Sequence, residues 1–239
     1  MYKDNLIIIS YTAHGDYHSY MGLFRFLLKY YKFIYLVIDD IHTPLLIIKD
    51  LLKDKINHFN FYNKYDIIKI NLDSNTTDIL NLSIPLCKHG VWNTRRIYKE
   101  PIEYYKKKGC KYYNDSSFAK TLDLDKEYSD FSGYDMSYIE NVKFYKNIGF
   151  NPDIGFKYYF YERNIEKEQE LYLDILNKYK LDISVPKYNI ICEYSHGNSN
   201  YVMNKNNIKN DYTNINIHKI CDNPILLLTL FINSTEIHL

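Results

Sequence analysis

Cysteine is scarce and badly placed for its special uses. The four cysteines, Cys87, Cys110, Cys192 and Cys221, are scattered along the chain, and no pair has metal-ligand or redox spacing. Nothing points to a disulfide scaffold, so a reducing cytosol is the default compartment. Cys192 and Cys221 stand in strand-like surroundings, where a free thiol serves as a small core residue. Net charge is also slight. The 30 Lys and Arg nearly balance the 29 Asp and Glu, leaving +1, so bulk electrostatics give no case for nucleic acid or an acidic membrane. Long apolar runs are missing too. The opening MYKDNLIIIS is too short in apolar residues for a signal peptide, and Ile225 to Ile232 is far too short to span a bilayer. The expected setting is cytoplasmic and not secreted, with sequons such as Asn75-Thr76-Thr77 unused. Tryptophan occurs once, against 27 Tyr and 12 Phe. With abundant Asn, Ile and Lys, that composition reads as the output of an AT-rich genome, not as a functional signal.

What is present is a globular chain. Its 239 residues suit one large domain or two small ones. At 46% hydrophobic and 25% charged, it can bury a core and is not expected to be disordered.

The organising stretch is Asn5 to Tyr31. Leu6 to Ser10 reads as one buried strand. Tyr11 to His18 is a polar turn holding His14, Gly15, Asp16 and His18. Tyr20 to Tyr31 is apolar-rich and long enough for three helical turns. Strand, glycine-bearing turn and helix form the first βα unit of a doubly wound α/β domain, whose ligands bind at the carboxyl ends of the strands.

Downstream, Ile34 to Ile38 is a second buried-type strand ending in Asp39-Asp40. Thr43 and Pro44 cap and start a helix running to about Lys53. His58 to Tyr62 and Tyr65 to Leu72 (YDIIKINL) are the third and fourth strand candidates, and their order argues for a parallel sheet. Asp73 to Lys120 is polar, aromatic and punctuated by Pro85, Gly90, Pro101 and Gly109. Within it, Pro101 to Lys108 predicts a helix with cations in its last turn, and Lys106-Lys107-Lys108 is most simply a solvated helix end. Met136 to Asn147 predicts a helix closed by Gly149. Phe156 to Tyr161 is strand-like in composition. From Arg163 to Tyr179 the pattern is helical, with Ile165, Tyr172, Ile175, Leu176 and Tyr179 on one face and Glu166, Lys167, Glu170 and Asp174 on the other. That helix is expected to pack across the end of the first domain. Arg163, Glu166, Glu168 and Glu170 read as helix-face charges making local pairs.

The tail restarts the alternation. Tyr188 to Glu193 (YNIICE) is a buried strand running into a turn at Tyr194 to Asn198. Ile215 to Ile220 is another strand, Pro224 to Asn233 a short helix, and Glu236 to Leu239 a last strand. The fold class is therefore α/β, with two Rossmann-like lobes on parallel sheets and the second short. The lobes are expected at 1–155 and 188–239, joined by a strand and helix at 156–187.

The opening AHGDYHSYMGLFRFLLKYY resembles that of heptosyltransferase-like glycosyltransferases of the GT-B fold, where Gly-Asp follows the first strand on the acceptor side. The match falls on Gly15 and Asp16. The middle, FKYYFYERNIEKEQELYLDIL followed by YNIICEYSHGN, resembles a group of GT-B-like proteins from large DNA viruses and bacteria. The ending NPILLLTLFINSTEIHL is similar to their helix leading to a strand reading "EIH". The resemblance implies a transferase using a nucleotide-sugar donor and a glycan or other hydroxyl acceptor, with Asp16 as base and no metal. It also implies a viral protein, found in host cytoplasm or virion. The chain departs from the pattern in having Ala13-His14 for the usual Gly-Leu, His196-Gly197-Asn198 where an arginine is common, and no Asp-Ser-Ser stretch after Leu239. The expectation is a truncated second lobe, possible completion by a partner chain, or a catalytically inactive binding or assembly protein.

Chemically, sugar transfer needs a base for the acceptor hydroxyl proton, and a carboxylate at a strand end supplies one. Asp16 is the candidate; the plain alternative is that it caps the following helix. Gly15 permits a tight turn and close ligand approach, and His14 and His18 share that acceptor-side loop. These histidines, four apart around Asp16, have metal-binding spacing on a helix, but the expected turn breaks it, leaving a metal-dependent hydrolase as a weaker alternative. The donor diphosphate is expected at turn amides and a helix N-terminus in the second lobe. The candidates there are Glu193, Tyr194, Ser195, His196, Gly197 and Asn198. Glu236 and His238 are read as structural. Arg95-Arg96, beside Trp92 and His89, is read as a solvated loop.

Overall fold

Leu6, Ile7, Ile8 and Ile9 are wholly buried in the central strand of a parallel sheet. A computed structural model describes residues 3–10, 14–38, 45–82, 99–132, 140–196, 199–201, 208, 210–217, 220 and 224–238. The chain divides into two units, Met1–Glu162 and Arg163–Leu239, and the division falls within the 156–187 segment.

In the first unit, β1 (Lys3–Ile9) lies between β2 (Tyr31–Val37) and β4 (Thr77–Asn81), with Ile7 in register with Tyr35 on one side and Ile79 on the other. Outside them run β3 (Phe59–Tyr62) and β5 (Lys111–Tyr113), giving the all-parallel order β3-β2-β1-β4-β5. This is the Rossmann-type order, with its switch point between β1 and β4. A central parallel strand is covered on both faces, which is why β1 is a continuous aliphatic run.

Helix α1 (His14–Leu27) buries Tyr20, Met21, Leu23, Phe24, Phe26 and Leu27 without residual exposure. Next come α2 (Leu45–Leu51) and a 3-10 turn at Lys53–His58. Helix α3 (Lys99–Lys107) precedes β5 and sends Tyr105 into the core of Ile7, Ile9, Val37, Ile67 and Ile79. The Tyr105 hydroxyl stands 2.7 Å from the Ile67 carbonyl and 3.0 Å from that of Ile70, so its polar end is satisfied. Helices α4 (Ser117–Lys120), α5 (Lys126–Ser129), α6 (Glu140–Ile148) and α7 (Asp153–Lys157) complete the unit. Gly149 ends α6 at φ +84°, with Phe150 N–H donating to the Tyr145 carbonyl and Gly149 N–H to that of Lys146. That pair of bonds is a Schellman cap, as the glycine predicts.

The second unit packs α8 (Ile165–Lys178) on a three-stranded parallel sheet ordered β10-β6-β9, from β6 (Tyr188–Ile191), β9 (Thr213–Asn216) and β10 (Glu236–His238). Tyr172, Ile175 and Leu176 meet Tyr188, Ile190, Ile215, Leu227 and Leu230 in its core. A 3-10 turn (Pro224–Leu227) and α9 (Leu228–Ile232) lead into β10. Strands β7 (Tyr194–His196) and β8 (Ser199–Tyr201) form an antiparallel hairpin.

Four expectations are corrected. YDIIKINL is not a strand. Its centre is a 3-10 turn (Ile67–Lys69), with Ile67 buried and Ile68 and Leu72 packed on the first core. The fourth strand is Thr77–Asn81 instead. Phe156 to Tyr161 forms no strand; Phe156, 82% exposed, and Lys157 end α7, and 158–161 follows as irregular chain. Helix α8 builds the core of the second unit, and Ile165, placed on its apolar face by periodicity, is exposed. Glu168 is not a surface charge but fully buried, where Arg163 binds both its oxygens and Thr229 Oγ1 donates to it at 3.1 Å. Asp39, Asp40, Thr43, Pro44, Cys87, Met136 and Cys221 lie outside the described residues, as does the cluster of His89, Trp92, Arg95 and Arg96.

Candidate functional site

In both units small buried polar residues stand at the carboxyl ends of the central strands, the edge at which open α/β sheets bind ligands. In the first unit, β1 delivers the chain to Ser10, which is buried. Its neighbour β4 ends at Asn81, in register with Ile9 and also buried. The Asn81 side-chain amide donates to the Tyr112 hydroxyl at 3.1 Å. Leu82 N–H donates to the Ile9 carbonyl at 2.8 Å, holding the two strand ends together. Two small polar groups thus flank the switch point between β1 and β4, where an open α/β sheet leaves its crevice.

The helix facing this edge starts earlier than expected. Residues 11–13 lie outside the described residues, but His14, Gly15, Asp16 and His18 are already within α1. Asp16 is therefore in the first helical turn instead of before it, which removes its reading as the N-cap. The continuous helix also places His14 and His18 one turn apart, restoring the spacing that a turn was expected to break. Among the described residues, no cluster of three or more His, Cys, Asp or Glu is placed to hold a metal.

The second unit repeats the pattern. Strand β6 ends at Ile191, in register with Asn216, the buried last residue of β9. The Asn216 amide donates to the Glu193 carbonyl at 3.1 Å. Glu193 is half-buried, and its Oε1 is buried without a hydrogen-bond partner among the described residues. A buried carboxylate oxygen left alone is costly. It follows the carboxyl end of β6, the central strand, on the side of β9. The next residues depart from expectation: Tyr194, Ser195 and His196 enter the β7–β8 hairpin instead of leading to a helix N-terminus. Gly197 and Asn198 lie outside the described residues. Glu193 is thus the one donor-side candidate whose side chain has a defined environment.

Sequence reasoning missed Ser10, Asn81 and Asn216 as site residues. The signal was there in TDILN and TNIN, where an asparagine closes a short buried strand. In a parallel sheet that position faces the ligand edge.

The fold defines a class: an α/β protein of two Rossmann-like units, each on its own parallel sheet. Comparison with protein-family models, with curated proteins and with solved structures finds no match. No helix among the described residues is long and apolar enough to cross a membrane.

Proposed function

We propose that this chain is a GT-B-like glycosyltransferase that moves a sugar from a nucleotide-sugar donor to a hydroxyl acceptor. The observation that carries the reading is the duplication of the α/β unit, each with a polar carboxyl edge at its switch point. The resemblance of the opening to heptosyltransferase-like enzymes assigns the acceptor to the first unit and the donor to the second. In the reaction, the acceptor oxygen bonds to the anomeric carbon. The bond from that carbon to the donor phosphate breaks, and the nucleoside diphosphate leaves. The acceptor proton passes to the Asp16 carboxylate. Glu193 supports the donor side, since its lone buried oxygen is an acceptor that a donor hydroxyl satisfies.

A thermal-shift screen against UDP, GDP, ADP, CMP and their sugars tests this. A ligand at about 100 times its dissociation constant stabilises the folded chain by about 2.7 kcal/mol, so the expected result is a clear shift with one nucleotide class. Asp16→Asn should keep that shift and lose transfer. Transfer at the native rate by Asp16→Asn would sink the assignment of the base. No shift with any nucleotide would favour the second reading, an inactive binding or assembly protein, which the three-stranded second sheet supports. The restored His14–His18 spacing gives the metal-dependent hydrolase a concrete test. Two imidazoles fall short of the three or four ligands of a zinc site, so chelator treatment should leave both melting temperature and nucleotide shift unchanged. A chelator-induced fall in either would move the proposal to a metal enzyme.

A further inference from the structure

The opposite edge of the first sheet carries chemistry that the proposed transfer does not use. Lys3 opens β1, Tyr31 opens β2, Lys111 opens β5, and Asp78 is the second residue of β4. All four stand at the amino ends of parallel strands. Asp78 is buried and accepts from the Tyr31 hydroxyl at 2.5 Å and from the Lys3 ammonium at 2.5 Å. Beside them a cavity of ≈ 420 Å³ is lined by Lys3, Tyr30, Tyr31, Lys111, Thr121 and Asp123. That is within the usual size of small-ligand sites.

The charges around this cavity cancel. Asp78 offsets Lys3, and Asp123 offsets Lys111. A simple anion or cation gains no net attraction from such a ring. A hydroxyl group does, because it donates and accepts at once. The donors are Lys3, which is anchored by spending one of three ammonium protons on Asp78, and the exposed Lys111. The acceptors are the exposed Asp123 carboxylate and Thr121 Oγ1, which donates its own proton to the Phe118 carbonyl at 2.7 Å and also meets the Tyr113 hydroxyl. Asp123 is held at φ +48°, a left-handed conformation that aspartate tolerates. Half-buried Tyr30 adds ring surface for the C–H face of a ligand.

We propose that this amino-edge cavity binds a neutral polyhydroxylated ligand, a sugar of one or a few rings without a nucleotide. The site is independent of the transfer reading, because Asp16 and Glu193 stand at carboxyl ends of strands and take no part in it.

Amide-resolved NMR titration of the whole chain with glucose, N-acetylglucosamine and maltose tests the proposal, with phosphate and glycine betaine as charged and zwitterionic comparators. The expected result is one saturable set of shifts at Lys3, Tyr30, Lys111, Thr121 and Asp123 with at least one sugar. Lys111→Ala and Asp123→Gly should each raise the dissociation constant about tenfold, the loss expected for one hydrogen bond to a charged group, with the melting temperature unchanged. Both residues are exposed, and glycine accepts the positive φ. The proposal is overturned if no sugar moves these amides, if phosphate or betaine binds there more tightly than every sugar, or if both variants bind sugar as well as the native chain. Any of these leaves the nucleotide screen and the Asp16 test unaffected.

Discussion

Asp78 Oδ2 and the Tyr31 hydroxyl stand 2.5 Å apart inside the first sheet and join β4 to β2 across the central strand between them. Lys3, on that central strand, binds the same oxygen. One carboxylate therefore ties three adjacent parallel strands at their amino ends. Burial, with Asp78 beside it, pushes the Tyr31 phenol far above its ordinary range, so it stays a donor throughout. Asp78→Ala leaves a buried hydroxyl and a partly buried ammonium without their acceptor. Breaking such a buried pair costs about 3–5 kcal/mol, and the partial exposure of Lys3 places the cost near the lower figure. Asp78→Asn keeps an acceptor for Tyr31 and should cost less than the alanine variant. Urea unfolding of the two variants reads both numbers. An unchanged midpoint for Asp78→Ala would show that the strands are held by their ladders alone.

Gly22, in the middle of α1, lies against the backbone of Gly155 in α7. A methyl group built on Gly22 would overlap the Gly155 carbonyl, and neither atom belongs to a side chain that can swing aside. Helices meet this closely only where both positions lack a Cβ. Gly22→Ala gains up to about 1 kcal/mol of helix propensity, but overpacking with a backbone shift costs about 1–3 kcal/mol or more. The net expectation is a loss of stability, seen as a lower midpoint in chemical unfolding. A variant more stable than the native chain would mean that α7 moves away freely.

The first sheet was largely legible because β1 and β2 announce themselves with the apolar runs that strands buried on both faces require, and the edge strand β3 with a short aromatic one. The fourth strand was not, because TDILN hides its burial. Thr77 bonds Asn5, Asp78 bonds Lys3 and Tyr31, and Asn81 bonds Tyr112, so its polar residues are satisfied inside the sheet. The more apolar YDIIKINL attracted the assignment, although it only covers the core from a turn. Glu168 shows the same limit on a helix. Periodicity counts charges as exposed, and only a tertiary partner such as Arg163 permits one inside. Around the candidate site, the strand–helix opening was readable, while the hairpin after Glu193 was not. Nothing in Tyr194 to Asn198 separates a turn into a helix from a turn between two short strands.

That Glu168 pair predicts an acid limb in stability. The Arg163 guanidinium, with Thr229 assisting against the opposing effect of burial, holds the Glu168 carboxyl below its ordinary range. The unfolded chain then binds the proton more tightly than the folded one. The contribution is fully present above the unfolded value of about 4.3 and is lost as pH falls through the lower folded value. Glu168→Gln should flatten melting temperature against pH below about 5 and lower stability at neutral pH, because Arg163 loses its counter-charge. Melting curves from neutral pH into that acid range read both effects. An acid limb of the same steepness in Glu168→Gln would assign it to other carboxylates, with Asp54, held down by Arg25, the next to remove.

Glu193 predicts the reverse of a structural residue. Its Oε1 is buried without a partner among the described residues, so that oxygen makes no hydrogen bond there whose loss would weaken the fold. Glu193→Gln keeps the shape, so the ligand-free protein should be as stable as the native chain. A bound hydroxyl, however, loses a charge-assisted bond worth about 1.5–3 kcal/mol, more than tenfold in affinity. Nucleotide-induced stabilisation should therefore fall while the free melting temperature holds. If Glu193→Gln instead destabilises the free chain and leaves nucleotide binding intact, the carboxylate supports the β6–β9 edge through the fold alone, and the donor must be sought elsewhere in the second unit.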